Sequence, residues 1–207
     1  STVNSQLLGF EIIEQGKTHV IIKQVTSISH SEFDTMLRRT FTFLIATSEE
    51  CLTAIEKNDI SLMKTIVQRD FYINKLTDYC RRAINKKESH FKHIGPGYVI
   101  VELLEKIGDG YKDLCKYQLE KKLKVDKQIL EIVSEINILL KLSQRLFYSF
   151  DIREMEKFIM KGNEIKERLI PLLYNQKTNF QILIYPYTIL DNIFNLNGPI
   201  MALKLCM

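Results

Sequence analysis

The spacing of apolar residues along this chain changes once, near residue 31. Between Phe10 and Lys23, apolar and polar positions alternate around Gly16, which is typical of two short strands joined by a turn. From residue 31 onward, apolar residues recur every three or four positions, as they do on one face of a helix. The pattern therefore predicts a β-hairpin followed only by helices.

Breaks and capping residues divide the helical part into six helices. Side-chain oxygens of Ser and Asp can accept hydrogen bonds from the first turn of a helix, so these residues mark starts. Pro186 lies inside the sixth helix and predicts a kink or a later start there. The predicted helices start close to Ser31, Asp59, Pro96, Asp126, Asp151 and Thr178.

The order of these helices repeats: a long helix, a second helix, a turn and a third helix occur twice, about 90 residues apart. We therefore predict an all-α fold built as a pair of three-helix bundles and preceded by a short β-hairpin. Residues 1–28 would form the hairpin and linker. Residues 29–124 would form the first three-helix repeat and residues 125–207 the second.

Composition limits the class of protein. The 207 residues are 45% hydrophobic, enough for a core, but no apolar run reaches the roughly 18 residues of a membrane-spanning helix. The cysteines form no C-x-x-C pair and suit a reducing cytoplasm. A net charge of +4 is too small to indicate nucleic-acid binding by itself. The cysteines are Cys51, Cys80, Cys115 and Cys206.

No catalytic motif is recognisable. The sequence contains no G-x-S-x-G, no Walker loop, no G-x-G-x-x-G and no H-E-x-x-H, so we predict that the protein is not an enzyme. Basic clusters could contact phosphates, but we expect them to solvate helix ends. These clusters are Arg38-Arg39, Arg81-Arg82, Lys86-Lys87 and Lys121-Lys122-Lys124.

Three stretches resemble archaeal members of the PhoU family of phosphate-uptake regulators. EFDTMLRRTF, residues 32–41, resembles the opening of that family's first helix, and EKIGD, residues 105–109, looks like its third-helix signature. LGFEIIE, residues 8–14, is similar to the segment that links an N-terminal swapped-hairpin DNA-binding domain to the helices in archaeal relatives. The resemblance covers residues 8–120 well and the remainder chiefly by element order.

The resemblance implies a PhoU-like pair of three-helix bundles and a regulator of phosphate homeostasis. Such a regulator would be a cytoplasmic homodimer that acts as an adaptor on the phosphate ABC transporter or its signalling partner. It further implies iron or zinc bound through paired acidic motifs. The alternative is a dimerisation or sensing domain of a DNA-binding transcriptional regulator, whose DNA-binding domain would lie upstream of Ser1.

Two pairs of polar residues are candidate metal ligands under this resemblance. Glu105 and Asp109 are four residues apart, which places both carboxylates on one helix face. Asp70 and Asn74 form the matching pair on the second helix, although Asn offers only a neutral carbonyl. The alternative is that all four are ordinary residues of a solvated face, because this spacing is common in helices.

The second repeat departs from the acidic pattern. Asp191 takes the place of the final acid, but Tyr187 stands four residues before it and Gly162-Asn163 lies where the other acids belong. We therefore expect any metal cluster in the first repeat only. His90 and His93 have a spacing compatible with a metal pair, but they lack a fixed Cys or Glu partner, and we expect them to face solvent.

Overall fold

The computed structural model describes residues 8–25, 30–174 and 180–205. It confirms the predicted all-α fold class with an N-terminal hairpin. None of the described helices is long and apolar enough to cross a membrane. The elements are β1 (Phe10–Gln15), β2 (Val20–Gln24), α1 (His30–Glu56), α2 (Ile60–Asn85), α3 (Ile94–Lys121), α4 (Lys127–Tyr148), α5 (Ile152–Leu173), α6 (Phe180–Phe194) and α7 (Asn197–Leu205).

The predicted hairpin pairs β1 and β2 in antiparallel register, with Phe10 opposite Gln24 and an irregularity after Ile12. Its strands are largely exposed, and two strands alone are only marginally stable in water. The hairpin therefore needs the helices. Arg82 of α2 donates from Nη2 to the backbone oxygen of Leu8 at 2.7 Å, and its guanidinium lies 4.9 Å from the centre of the Phe10 ring.

Three predicted capping residues act as expected. Asp59 accepts a hydrogen bond from the backbone N–H of Leu62 at 3.0 Å, which satisfies a donor in the first turn of α2. Asp126 does the same for α4 and Asp151 for α5. The first helix differs slightly, since α1 begins at His30 rather than after Ser31.

The sixth predicted helix forms two segments, α6 and α7. Pro186 lies inside α6, which begins upstream of it, and the chain turns only after Phe194. The amide of Asn197 donates to the backbone oxygen of Phe194 at 2.6 Å, and Pro199 follows in the first turn of α7, where a proline is tolerated. The predicted start near Thr178 lies outside the described residues.

Helix α3 lies at the centre of the molecule and packs against α1, α2, α6 and α7. Two glycines bring its neighbours close. A Cβ at Gly108 would lie 2.7 Å from Cδ1 of Ile73 on α2, and one at Gly110 would lie 2.5 Å from Cγ1 of Ile189 on α6. One hydrophobic core joins the helices of both predicted repeats. The division into residues 29–124 and 125–207 stays a prediction.

Three cysteines lie in this core as reduced thiols, in agreement with their expected role as small buried side chains. Cys51 of α1 and Cys115 of α3 approach each other to 3.3 Å between their sulfurs. Cys80 is fully buried, and burial raises the pKa of its thiol to about 12. Cys206 lies outside the described residues.

Candidate functional site: an acid–base cluster between α2 and α3

The four predicted metal ligands lie where α2 faces α3. Asp70 and Asn74 belong to α2, Glu105 and Asp109 belong to α3, and all four side chains are half-buried. The close approach of the two helices at Gly108 holds these faces together. The structure therefore places the two pairs in one region, where their carboxylates contact cations of the same chain.

Lys112 of α3 connects one carboxylate of each helix. Its ammonium group lies 3.2 Å from Oδ2 of Asp70 and also donates to Asp109, while the amide of Asn74 donates to the same Asp70 oxygen at 3.4 Å. Burial raises the pKa of Asp70, and Lys112 opposes that effect in part. Burial lowers the pKa of Lys112, but its bonds to Asp109 and Asp70 outweigh burial and raise it. An internal ammonium ion thus supplies the positive charge here.

Arg81 of α2 holds the remaining candidate, Glu105. Its Nη2 lies 2.5 Å from Oε2 of Glu105 and 2.7 Å from Oδ1 of Asp78, and its Nη1 lies 2.7 Å from Oε1 of Glu102. The hydroxyl of Thr77 donates to the same Glu105 oxygen at 2.8 Å. The Arg81 side chain is only 15% exposed, so one partly buried guanidinium bridges three carboxylates.

A metal ion does not fit this arrangement while both cations are present. To bind the metal, the carboxylates would have to give up their bonds to Lys112 or Arg81, because the metal cation and these positive side chains repel each other at such short range. Two buried oxygens of α2, Oδ1 of Asp70 and Oδ1 of Asn74, do lack a hydrogen-bond partner among the described residues. Within residues 8–25, 30–174 and 180–205, however, no group of three or more His, Cys, Asp or Glu side chains could hold a metal. Iron or zinc binding by these residues stays a prediction, and it would require the metal to displace Lys112 or Arg81.

Removing the ammonium group should therefore favour a metal. We expect Lys112→Met to bind Zn²⁺ or Fe²⁺ at least about tenfold more tightly than the unchanged protein, because Asp70 and Asp109 lose the ammonium group that pairs with both of them. Isothermal titration with each metal measures this, with Lys116→Met on the same helix as the control. Equal affinities would show that Lys112 does not compete with metal. Metal bound in a stoichiometric amount by the unchanged protein would support the predicted iron or zinc site.

The second predicted repeat has similar contacts. Asp191 of α6 accepts from Lys166 of α5 at 2.8 Å and from the amide of Asn195, four residues on, at 3.1 Å. Gly162 is a packing position, because a Cβ there would collide with the ring of Phe194. Tyr187 packs against the core. In each half, a lysine and an asparagine therefore surround an aspartate of the predicted acidic motif.

A second ion-pair group joins α4 to α5. Glu135 accepts from Arg168 at 2.6 Å and lies 2.5 Å from the ammonium group of Lys161. Burial raises the pKa of Glu135, but the bonds from Lys161 and Arg168 outweigh burial, and the net shift is downward from 4.5. The ionised form is thus the one that stabilises the fold.

The lowered pKa of Glu135 predicts a pH-dependent effect. We expect Glu135→Gln to lower the free energy of unfolding by about 1 kcal/mol at pH 7. A carboxylate with a lowered pKa stabilises the fold fully above its ordinary pKa and loses that effect as pH falls through the lowered value. Urea denaturation of both proteins at pH 7, 5.5 and 4 should show the difference shrinking below about pH 4.5. A difference that grows toward acid would contradict the assignment.

One of the two candidate histidines, His90, forms an ion pair with an acid of α1. Nδ1 of His90 lies 2.8 Å from Oδ1 of Asp34, and its ring packs edge-on against Phe33 and Phe91. His93 immediately precedes α3. The expectation that His90 only faces solvent is therefore incomplete, because its bond to Asp34 connects α1 with the loop before α3.

Sequence reasoning missed the residues that complete the cluster, Lys112 and Thr77, and assigned Arg81 to a solvated helix end. Lys112 follows Asp109 by three positions and Glu105 by seven, so its place on the same helix face could be read from spacing. The position of Arg81 depends on how α2 packs against α3, which spacing does not give. Arg82 is likewise not simply solvated, since it contacts the hairpin.

Comparison with known proteins gives a likeness in structure alone. Neither a protein-family model nor a curated protein sequence matches the chain. The chain is similar to the phosphate transport system regulatory protein PhoU from Streptococcus pneumoniae, with a TM-score of 0.70 and 14% identity over 86% of this chain and 95% of that one. It is also similar to PhoU from Pseudomonas aeruginosa, with a TM-score of 0.66 and 13% identity over 86% and 97%. The chain therefore has the fold of the PhoU phosphate transport regulators.

Proposed function

We propose that this protein regulates phosphate uptake as a helical adaptor without catalytic activity of its own. The observation that carries the proposal is the likeness in fold, over 86% of the chain, to a protein described as a regulator of phosphate transport. The acid–base cluster supports a structural role for the polar residues of α2 and α3, because their carboxylates bind internal cations. Function then depends on the outer faces of the helices.

The proposed partner is a phosphate ABC transporter or the signalling protein that controls it, contacted from the cytoplasm. We propose further that the adaptor is a homodimer, which sedimentation of the purified chain would test. A sensing domain of a DNA-binding regulator is the alternative from the sequence, and the likeness to two phosphate regulators does not favour it.

A deletion strain tests the proposal. We expect loss of the gene to raise uptake of radiolabelled phosphate in phosphate-rich medium, because the restraint on the transporter is removed. Reintroducing the unchanged gene should restore the restraint, which assigns the effect to this protein. Unchanged uptake in the deletion strain, in both rich and poor medium, would overturn the proposal.

A further inference from the structure

A groove of 680 Å³ runs along the outer face of α1 and α2, outside the acid–base cluster. Its volume lies in the range of sites that bind ligands or side chains of a partner. Leu8, which lies just before the hairpin, also lines the groove. The lining residues are Leu8, Thr35, Met36, Arg38, Arg39, Thr42, Phe43, Ala46, Tyr72, Lys75 and Leu76.

The floor of the groove is apolar and continues into exposed aromatic rings. Met36 and Phe43 of α1 are half-buried there, and Leu76 of α2 is buried. The ring of Tyr72 lies 6.0 Å from that of Phe43 and 4.0 Å from that of Phe71, centre to centre. Phe71 and Tyr72 remain 42% and 48% exposed. Adjoining exposed aromatic rings are typical of surfaces that a partner covers.

The rim of the groove is positively charged. Arg38, Arg39 and Lys75 line it, and no acidic side chain does so in the part of the chain that the structure describes. Arg38 lies over the ring of Tyr148 at 4.1 Å. Arg39 and Lys75 form no ion pair with any described residue, unlike the cations Arg81 and Lys112 of the cluster. An anionic occupant would complement this rim.

The length of the groove favours a helix as occupant. Its lining on α1 extends from Thr35 to Ala46, which is eleven helical steps, or about 16 Å. That length equals about three turns of a docked helix, which would place a stripe of apolar residues on the floor. Acidic residues flanking the stripe would meet Arg39 on one side and Lys75 on the other.

We propose that the α1–α2 groove docks an acidic amphipathic helix of the partner protein. The apolar floor, the unpaired cations of the rim and the length of the groove support this. The inference rests on the proposed adaptor function, for which it identifies the contact surface and the chemistry of the partner. Shape and apolar contact would supply affinity, and the cations of the rim would select an acidic helix over a basic one.

Two synthetic helices test the charge preference. Both are fluorescein-labelled peptides of about 14 residues with the same leucine stripe, and they carry either Glu or Lys beside it. We expect the purified protein to bind the Glu peptide, more weakly as salt is raised, and to bind the Lys peptide at least about tenfold more weakly. Fluorescence anisotropy measures both, and hydrogen exchange should show protection along α1 and α2 at the groove.

Charge reversal makes the test reciprocal. The double variant Arg39→Glu, Lys75→Glu should lose at least about tenfold in affinity for the Glu peptide and gain affinity for the Lys peptide. Lys64→Glu with Lys116→Glu is the matched control, because it changes net charge equally at exposed positions outside the groove. Its affinities should stay within about twofold of the unchanged protein. Ala46→Trp, at an exposed position of α1, should weaken binding of the Glu peptide by filling the groove.

Several results would overturn the inference. If the control variant and the groove variant lost the same affinity for the Glu peptide, the loss would be an effect of net charge only. Binding of 8-anilinonaphthalene-1-sulfonate that depends on Arg39 and Lys75, with neither peptide bound, would make the occupant a small amphiphilic anion. Since these assays use purified protein, they are independent of the deletion strain. Unchanged phosphate uptake with groove-dependent peptide binding would refute the proposed function alone.

Discussion

Tyr111→Ala is expected to lower the free energy of unfolding by about 4 kcal/mol. Tyr111 is the largest fully buried side chain of the described core and lies on the central helix α3. Burial raises the pKa of Tyr111 well above its ordinary value, so its hydroxyl keeps its proton and donates to Oδ1 of Asn137 at 2.7 Å. Asn137 in turn donates to the backbone oxygen of Ser48 at 2.8 Å. The substitution would leave a cavity and an unpaired buried amide oxygen.

Urea denaturation followed by circular dichroism measures this loss. Tyr111→Phe separates the two contributions, because it keeps the ring and removes only the hydroxyl, at an expected cost of about 1.5 kcal/mol. Tyr174→Ala, at a position 83% exposed, should change stability by less than about 0.5 kcal/mol. If Tyr111→Ala behaved like Tyr174→Ala, the junction of α1, α3 and α4 would not be packed as described.

Arg81→Met should cost about 3 kcal/mol, the second largest effect we expect. The substitution keeps most of the apolar length of the side chain but removes the charge that Asp78, Glu102 and Glu105 share. The three partly buried carboxylates would then repel one another, although Arg82 still attracts Asp78. Arg81→Lys should lose about half as much, because an ammonium group cannot contact all three carboxylates in the geometry of a guanidinium.

The control for Arg81 is Arg69, a neighbour on α2 that pairs with Glu50 at 2.8 Å. The Arg69 side chain is 40% exposed, whereas that of Arg81 is 15% exposed. Solvent screens the exposed pair, so Arg69→Met should cost less than about 1 kcal/mol. Equal losses for the two variants in urea denaturation would contradict the special position of Arg81 between α2 and α3.

The hairpin and most helix boundaries could be predicted because their causes are local. The change of period near residue 31 depends only on neighbouring positions, and Asp59, Asp126 and Asp151 each accept a hydrogen bond from the first turn that they precede. A residue needs no distant partner to act in this way. These features therefore appear in the structure close to where the sequence places them.

The last helix shows what a local signal leaves open. Pro186 removes one backbone donor, which predicts a kink or a later start, and the later start is wrong because α6 begins before the proline and continues to Phe194. Ile182 and Leu183 before the proline and Ile189 after it are buried in the core. Their burial outweighs the loss of one hydrogen bond, and this gain depends on the packing of α3, α4 and α5 against α6.

The sequence by itself determined the order of hairpin and helices, and the spacing that gives Glu105 and Asp109 their places on α3. Only the tertiary structure decided what these carboxylates bind. Gly108 allows α2 to approach α3 so closely that Arg81 reaches Glu105 and Lys112 reaches Asp70 across the helix boundary. A charge-assisted hydrogen bond forms only when its two groups lie about 3 Å apart, so the partner of a carboxylate depends on this packing distance, which no local pattern contains.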